Sequence, residues 1–294
     1  MVWVNALLQG ILLGGLYALL AAGLSLMFGV MRIVNLAHGV LAVTAAYLGM
    51  VMVQAGVNVW VAIPVVVVLM AALGYGLQWL LFNRAISMGE KATAMGEMAP
   101  LLVAFGLSVI LTQVLQEVFS ADTQSLSIGD LGTASVQLGG GLAIGTFALL
   151  TFVVGVVAIV AIQLFLARTP LGRAMRAASD DPTAVQMMGI SHRQVYALAA
   201  ALALGTVGLA GMFLGMRSQF APTFGAVMLI FAFEAVIIGG LGSLWGTLAG
   251  GIVLGVAQTI GAQLNPAWGV LAGHVVFLII LAVRPTGLIS KGSA

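Results

Sequence analysis

Nine apolar runs, separated by short polar breaks, make up most of this chain and decide the solvent it folds in. They cover residues 4–30, 36–54, 58–83, 98–119, 142–167, 194–216, 224–240, 244–264 and 267–283. A bilayer core of about 30 Å is crossed by about 20 apolar residues in a helix, and in lipid a helix satisfies its own backbone. Composition agrees: 62% of residues are hydrophobic and 6% charged, with a mean hydropathy of +1.20, where a soluble domain has about a quarter charged. The expectation is an all-α polytopic membrane protein, one transmembrane domain over 1–294, with about eight or nine spanning helices. The breaks MRIVN and GGLGS are the weakest, so a broken or re-entrant helix fits at either place. There is no cysteine, which excludes disulfides and thiolate metal sites, and the three histidines are far apart, which argues against a metal centre.

Basic residues near span ends gather on the cytoplasmic side. With the segment 168–193 placed inside, Arg32, Arg84, Lys91, Arg168, Arg173, Arg176, Arg193, Arg284 and Lys291 fall on that side and Arg217 alone falls opposite. This topology puts the N-terminus outside and the C-terminus in the cytoplasm. It also leaves an external loop at 120–141 with two aspartates and no base, suited to an external partner or to a plain connector. The start, MVWVNALLQG, lacks the features of a cleaved secretory signal and reads as the beginning of the first span. The basic residues are spread over loops and make no groove-reading helix, so nucleic acid is not an expected partner; the bilayer is.

The polar segment "ARTPLGRAMRAASDDPTAVQMMGISHRQ" carries Arg168, Arg173, Arg176 and Arg193. Within it Asp181 suits an N-cap, Pro182 a first helical position and Gly189 a left-handed stop, which predicts a short helix near 182–188. Val185 and Met188, with Ala184 and Met187 beside them, give it an apolar face. Arg173 and Arg176, three residues apart, sit on one face of a short helix continuing from the fifth span. A capped apolar helix flanked by charge suits a groove on a soluble partner; a loop binding anionic headgroups accounts for the arginines but not for the caps.

Glycines recur at four-residue spacing, with Gly242, Gly246 and Gly250 in one line, Gly251 and Gly255 in a second, and Gly10 with Gly14 and Gly211 with Gly215 elsewhere. Small residues let helices approach closely in lipid, either as static packing or as a moving interface. Pro64 inside the third run predicts a kink. No fixed-period repeat is found. Polar residues at membrane depth are the candidates for a translocation pathway. Asn35 and His38 open the second span, where Asn35 caps a helix whose exposed N–H groups attract a carboxylate, or where His38 is simply satisfied by a backbone carbonyl. Glu234, in "LIFAFEAVIIGG", faces a pathway or a structural partner, and Gly239 and Gly240 follow it. His274 reads as an interhelical hydrogen-bond donor, and Glu117 with Thr112, Gln113 and Gln116 marks an outer vestibule or the helix's exit into water.

No phosphate loop, HExxH or GxSxG motif occurs, so no residue is assigned a catalytic or metal-binding role and no enzymatic activity is expected. If the chain takes part in ATP-driven uphill transport, the energy must come from another subunit. The segment "TPLGRAMRAASDDPTAVQMMGI" closely resembles the cytoplasmic loop of the branched-chain amino acid ABC importer permeases. "GLYALLAAGLSLMFGVMRIVNLAHG", "IIGGLGSLWGTLAGG" and "RPTGL" resemble that family's opening signature, late glycine motif and ending. The resemblance implies a multi-pass permease of the bacterial inner membrane, paired with a homologous second permease, two cytoplasmic ATPases that bind ATP and Mg, and a periplasmic substrate-binding protein. It implies that Arg173, Arg176, Asp180, Asp181, Pro182, Val185, Met188 and Gly189 form the ATPase-coupling element. Two residues depart from the pattern: Glu234 stands where an apolar residue is expected, and Leu36 where an aromatic is common. Residues 50–140 carry no diagnostic motif. A permease of the same superfamily for urea, amides, aromatic acids or sugars has the same architecture; a secondary transporter or channel, by contrast, has no need of an ATPase-docking helix.

Overall fold

The computed structural model describes residues 2–89, 98–139 and 142–289; Lys91 and Lys291, both used in the charge count, lie outside them. The order is α1 (Val2–Met31), α2 (His38–Gln54), α3 (Val59–Leu77), a π-helical turn (Gln78–Phe82), α4 (Asn83–Gly89), α5 (Ala99–Phe119), a 3-10 turn (Gly129–Gly132), β1 (Ser135–Gly139), β2 (Leu142–Gly145), α6 (Thr146–Arg168), α7 (Pro170–Asp180), α8 (Pro182–Met187), α9 (His192–Arg217), α10 (Phe224–Gly239), α11 (Leu244–Leu264) and α12 (Trp268–Val283). The chain is an almost wholly helical, polytopic membrane protein. Six described helices are long and apolar enough to cross a membrane, and α2, α10 and α12 are shorter apolar helices.

The longest helices form the centre. α1 and α9 are buried over most of their length, whereas α5 and α6 turn most of their apolar surface outward, as helices facing lipid do. The glycine lines lie where these helices touch. A Cβ on Gly251 would come within 2.7 Å of the Gly14 carbonyl oxygen, and one on Gly14 within 2.6 Å of the Gly251 oxygen. Gly10 faces Val256 and Gly255 in the same seam, Gly250 meets the Ala235 carbonyl, and Gly211 meets that of Ala42. All of this is packing within one subunit. The five tryptophans mark the two membrane surfaces: Trp3, Trp60 and Trp268 are exposed at helix starts at one end, Trp79 and Trp245 at the other, where amphipathic rings settle.

The helices carry an internal duplication that the search for a fixed period does not register. "GLSLMFGVMR" (23–32) and "GLAGMFLGMR" (208–217) agree at six of ten positions, one at the end of α1 and the other at the end of α9. In each case a short helix begins seven residues after the long one ends, α2 at His38 and α10 at Phe224. Those two starts abut: a Cβ on Gly225 would lie 2.7 Å from Val40 Cα, and one on Gly39 would lie 2.7 Å from Leu229 N. The start of α9, α7 and the Gly29 end of α1 share one end of the bundle, whereas Gln9 and Phe213 meet β2 and the start of α6 at the other. α1 and α9 therefore run in opposite directions, and the repeat is inverted. Discontinuous helices in inverted repeats are a transporter arrangement.

Three expectations change. Residues 142–145 form strand β2, paired antiparallel with β1, and α6 begins only at Thr146; S-V-Q-L alternates polar and apolar residues as a strand does, and the apolar L-A-I-G pairs with it. The third run is a helix interrupted by the π-helical turn, where buried Gln78 donates Nε2–H to Asn83 Oδ1 (3.2 Å) and Asn83 donates Nδ2–H to the Arg193 carbonyl (3.3 Å). The segment 120–128 is no free connector, since Gln124 and Phe220 exchange backbone hydrogen bonds of 2.8 Å, and Leu126 N–H donates to the Gly215 carbonyl at 2.9 Å.

Candidate functional site

The polar segment 168–193 folds into two helices at one end of the bundle. Thr169 breaks the chain out of α6 (φ −92°, ψ 154°) and caps α7 by accepting from Gly172 N–H at 3.0 Å, while Pro170 occupies the first turn. α7 is thus a separate helix and not a continuation of the fifth span. Its arginines reach back: Arg173 Nη1 donates to the Arg168 carbonyl (3.4 Å) and Arg176 Nη2 to the Ala167 carbonyl (3.3 Å). They satisfy carbonyls that the end of a helix leaves unpaired and so fix α7 against α6. On the other side Ser179 Oγ donates to the Gly29 carbonyl at 2.6 Å, tying α7 to the end of α1, and Gly29 in turn lies against Gly242 between α10 and α11.

α8 is closed at both ends. Asp181 Oδ1 accepts from Thr183 N–H (2.8 Å) and Ala184 N–H (3.0 Å). At the far end Ile190 N–H donates to the Val185 carbonyl (3.2 Å) and Gly189 N–H to the Gln186 carbonyl (2.9 Å), with Gly189 at φ +78°; this is a Schellman stop. The single apolar face expected of Val185 and Met188 is corrected. Val185 is buried in the core, whereas Met187 and Met188 are 81% and 77% exposed, because so short a helix must spend its one inward position on anchoring. The exposed surface then includes Leu171, Pro182, Met187 and Met188 together with Arg173, Arg176, Asp180, Asp181, Thr183 and Gln186, an apolar knob edged with charged and polar groups.

Asn35, His38, Tyr17 and Glu234 each have a partner inside the bundle, whereas Ser25 Oγ and Tyr47 OH are buried without one among the described residues. α2 begins at His38, with Ala37 as its N-cap and no side-chain cap. Asn35 closes the turn just before it, its Oδ1 accepting from Ala37 N–H at 3.0 Å and its carbonyl from His38 N–H at 3.1 Å. His38 is fully buried and donates Nε2–H to the Leu20 carbonyl at 2.7 Å, which leaves Nδ1 as the bare nitrogen. Glu234, on α10, accepts from His274 Nδ1 on α12. Tyr17, on α1, donates to Gln258 Oε1 on α11 at 2.6 Å and packs on Phe231, whose ring lies on His274. Gly239 and Gly240 are covered by the chain itself: Gly239 presses on Gly246, and Leu288 and Ile289 donate to the carbonyls of Ile238 (2.8 Å) and Gly239 (3.0 Å). Gly240 (φ +105°) makes the turn that lets the RPTGL segment seal the end of α10. At the other end a cavity of about 440 Å³ opens between the start of α1 and the end of α11, lined by Asn5, Gln9, Thr259 and Gln263.

Sequence reading misses Tyr17, Gln258 and Ser179 as members of networks. Their only signal is a polar group inside an apolar run, and the partner lies in a distant helix. Tyr17→Phe is expected to cost about 1 kcal/mol, the scale of an interhelical hydrogen bond in lipid, read as an earlier unfolding midpoint in detergent with normal insertion; an unshifted midpoint would show that the bond contributes nothing.

A family model described as "Branched-chain amino acid transport system / permease component" matches residues 6–283. The high-affinity branched-chain amino acid transport system permease protein BraD of Pseudomonas aeruginosa is 26% identical over 98% of this chain and 96% of its own length. The corresponding LivH of Escherichia coli is 24% identical over the same shares. The Escherichia coli permease LivM is 28% identical over a shorter stretch, 42% of this chain and 29% of that one.

Proposed function

Since the chain belongs to the family of permease components of branched-chain amino acid transport systems, we propose that it forms half of the membrane channel of an ATP-driven, binding-protein-dependent importer for branched-chain or related amino acids. The chain catalyses nothing itself; ATP and Mg are bound by two partner ATPases in the cytoplasm. The observation that carries this is the α7–α8 element. It is capped by Asp181, stopped at Gly189, pinned to α6 by Arg173 and Arg176 and to α1 by Ser179, and it presents two bare methionines outward. A knob so braced passes displacement on instead of absorbing it, and an apolar helix on a soluble partner's groove is a recurrent docking mode.

Eight or nine spans, an external N-terminus and a cytoplasmic C-terminus in the bacterial inner membrane fit this role. In support, the Gly29, Ser179, Gly242 and Leu288 contacts lie at the arginine-rich end, and the Gln124–Phe220 and Gln9–Ala143 contacts at the other. The second half of the channel is a homologous permease, as the paired names LivH and LivM among the relatives suggest. A periplasmic protein delivers substrate to the outer face, where the cavity beside Gln9 and Gln263 opens.

The test is uptake of labelled leucine into proteoliposomes. Transport is expected only when both permeases, both ATPases, the binding protein and ATP are present. Uptake by this chain alone, driven by an ion gradient, would sink the proposal.

A further inference from the structure

α12 buries only Gly269 and Gly273 among its residues. Its outward face is apolar, with Val270, Leu271, Val275, Leu278 and Ile279 all exposed, and His274 stands in the middle of it with its side chain 37% exposed. His274 is not idle surface, for its Nδ1 holds Oε1 of Glu234, a carboxylate only 4% exposed. The other oxygen, Oε2, is buried and has no hydrogen-bond partner among the described residues. The ring of Phe231 stacks on His274 at 6.1 Å between centroids, and Tyr17 packs on Phe231 at 5.1 Å.

Lipid solvates neither an imidazole nor a half-satisfied carboxylate. Ionisable groups within spans face a bundle interior or a water-filled path, and an acid with an unpaired oxygen is costly wherever water is excluded. The arrangement is resolved if this face of α12 is not a lipid face. A buried carboxylate oxygen with no donor, its other oxygen held by an imidazole, is a receptor for a positively charged N–H donor, which gains charge-assisted hydrogen bonds there.

We propose that the His274 face of α12 lines the aqueous seam against the second permease subunit, and that Glu234 and His274 together receive the ammonium group of an amino acid as it crosses. This rests on the permease reading above and adds the place and the charge of the contact.

This chain contains no cysteine, so His274→Cys introduces its only thiol, and labelling is followed on this chain after the subunits are separated. In vesicles carrying the whole complex, a cationic methanethiosulfonate reagent is expected to modify that thiol about tenfold or more faster than an anionic one, the range of electrostatic focusing in a charged cleft. Leucine with the binding protein is expected to slow the reaction, and adding Glu234→Gln to remove the charge preference. Should His274→Cys fail to assemble, Leu278→Cys, one turn along the same face, reports water access in its place. Modification only by a membrane-soluble maleimide, equal rates for both charges, or no modification overturns the proposal. ATP-driven leucine uptake is measured in matched vesicles that carry the parent complex, with Glu234 and His274 both in place. Uptake with lipid-only labelling defeats this inference and leaves the permease reading standing, whereas no uptake defeats the permease reading itself.

Discussion

Leucine at Gly255 is expected to leave the chain unable to reach its packed state in the membrane. The Cβ alone would lie 2.6 Å from Gly14 N and 2.9 Å from Gly14 Cα, and the neighbouring Gly251 is equally tight against Ala18 N at 2.8 Å. These are backbone atoms of a helix and cannot rotate aside, so α1 and α11 must separate along their whole seam. Overpacking a well-filled core costs about 1–3 kcal/mol per site, and separating helices also forfeits the dispersion contacts that hold them together in lipid. Against a total stability of about 5–15 kcal/mol the loss should appear as aggregation in detergent, degradation in cells and no ATP-driven uptake. Gly76→Leu and Gly106→Leu are the matched controls, because a Cβ at either meets nothing within 4 Å; both should purify as the parent does. A Gly255→Leu protein as monodisperse and heat-stable as the parent would show that the seam is not close-packed.

The second large effect is functional. Asp181→Ala combined with Pro182→Ala removes the oxygen that accepts from Thr183 and Ala184 and frees the first turn of α8. A lost N-cap costs about 0.5–2 kcal/mol, enough to fray a helix of six residues but small for the whole molecule. The complex should therefore assemble, and the binding protein should hold its substrate with unchanged affinity. ATP-driven uptake should nevertheless fall by about tenfold or more, the equivalent of about 1.4 kcal/mol in coupling, while ATP hydrolysis no longer responds to the loaded binding protein. Uptake at the parental rate would show that α8 does not couple. Ser179→Ala cuts the separate tie to Gly29 and is expected to produce a milder defect of the same kind.

Much of this was legible in the residues. The spans follow from apolar runs, because a helix in lipid needs little beyond length. The ends of α8 were equally plain, since Asp181, Pro182 and Gly189 each do locally what their side chains or backbones favour. The glycine lines were visible as spacing, though not as pairs: nothing marks Gly14 as the partner of Gly251, which lies at the far end of the chain. The duplication escaped because likeness is concentrated in ten residues and the copies run in opposite senses, so no period connects Arg32 to Arg217. Strand β2 was read as the start of a helix because L-A-I-G is apolar, and hydropathy does not separate a hairpin arm from a helical turn. For His38 and Glu234 the burial was readable and the partners were not, because Leu20 and His274 are brought up by other helices.

The way the halves interlock bears on the order in which the protein is made. α1 has its most extensive packing with α11, and α3 has its own with α9, so each half of the duplication is completed by the other and neither is completed by itself. As the chain emerges, α6 and α9 reach α1 well before α11 does, but the seam along Gly10 and Gly14 stays open until nearly all of the polypeptide has been synthesised. A ribosome stalled before Leu244 would leave the core built from α1, α2, α3, α9 and α10 without the helix that packs most extensively along α1, and that open seam is what membrane proteases would meet.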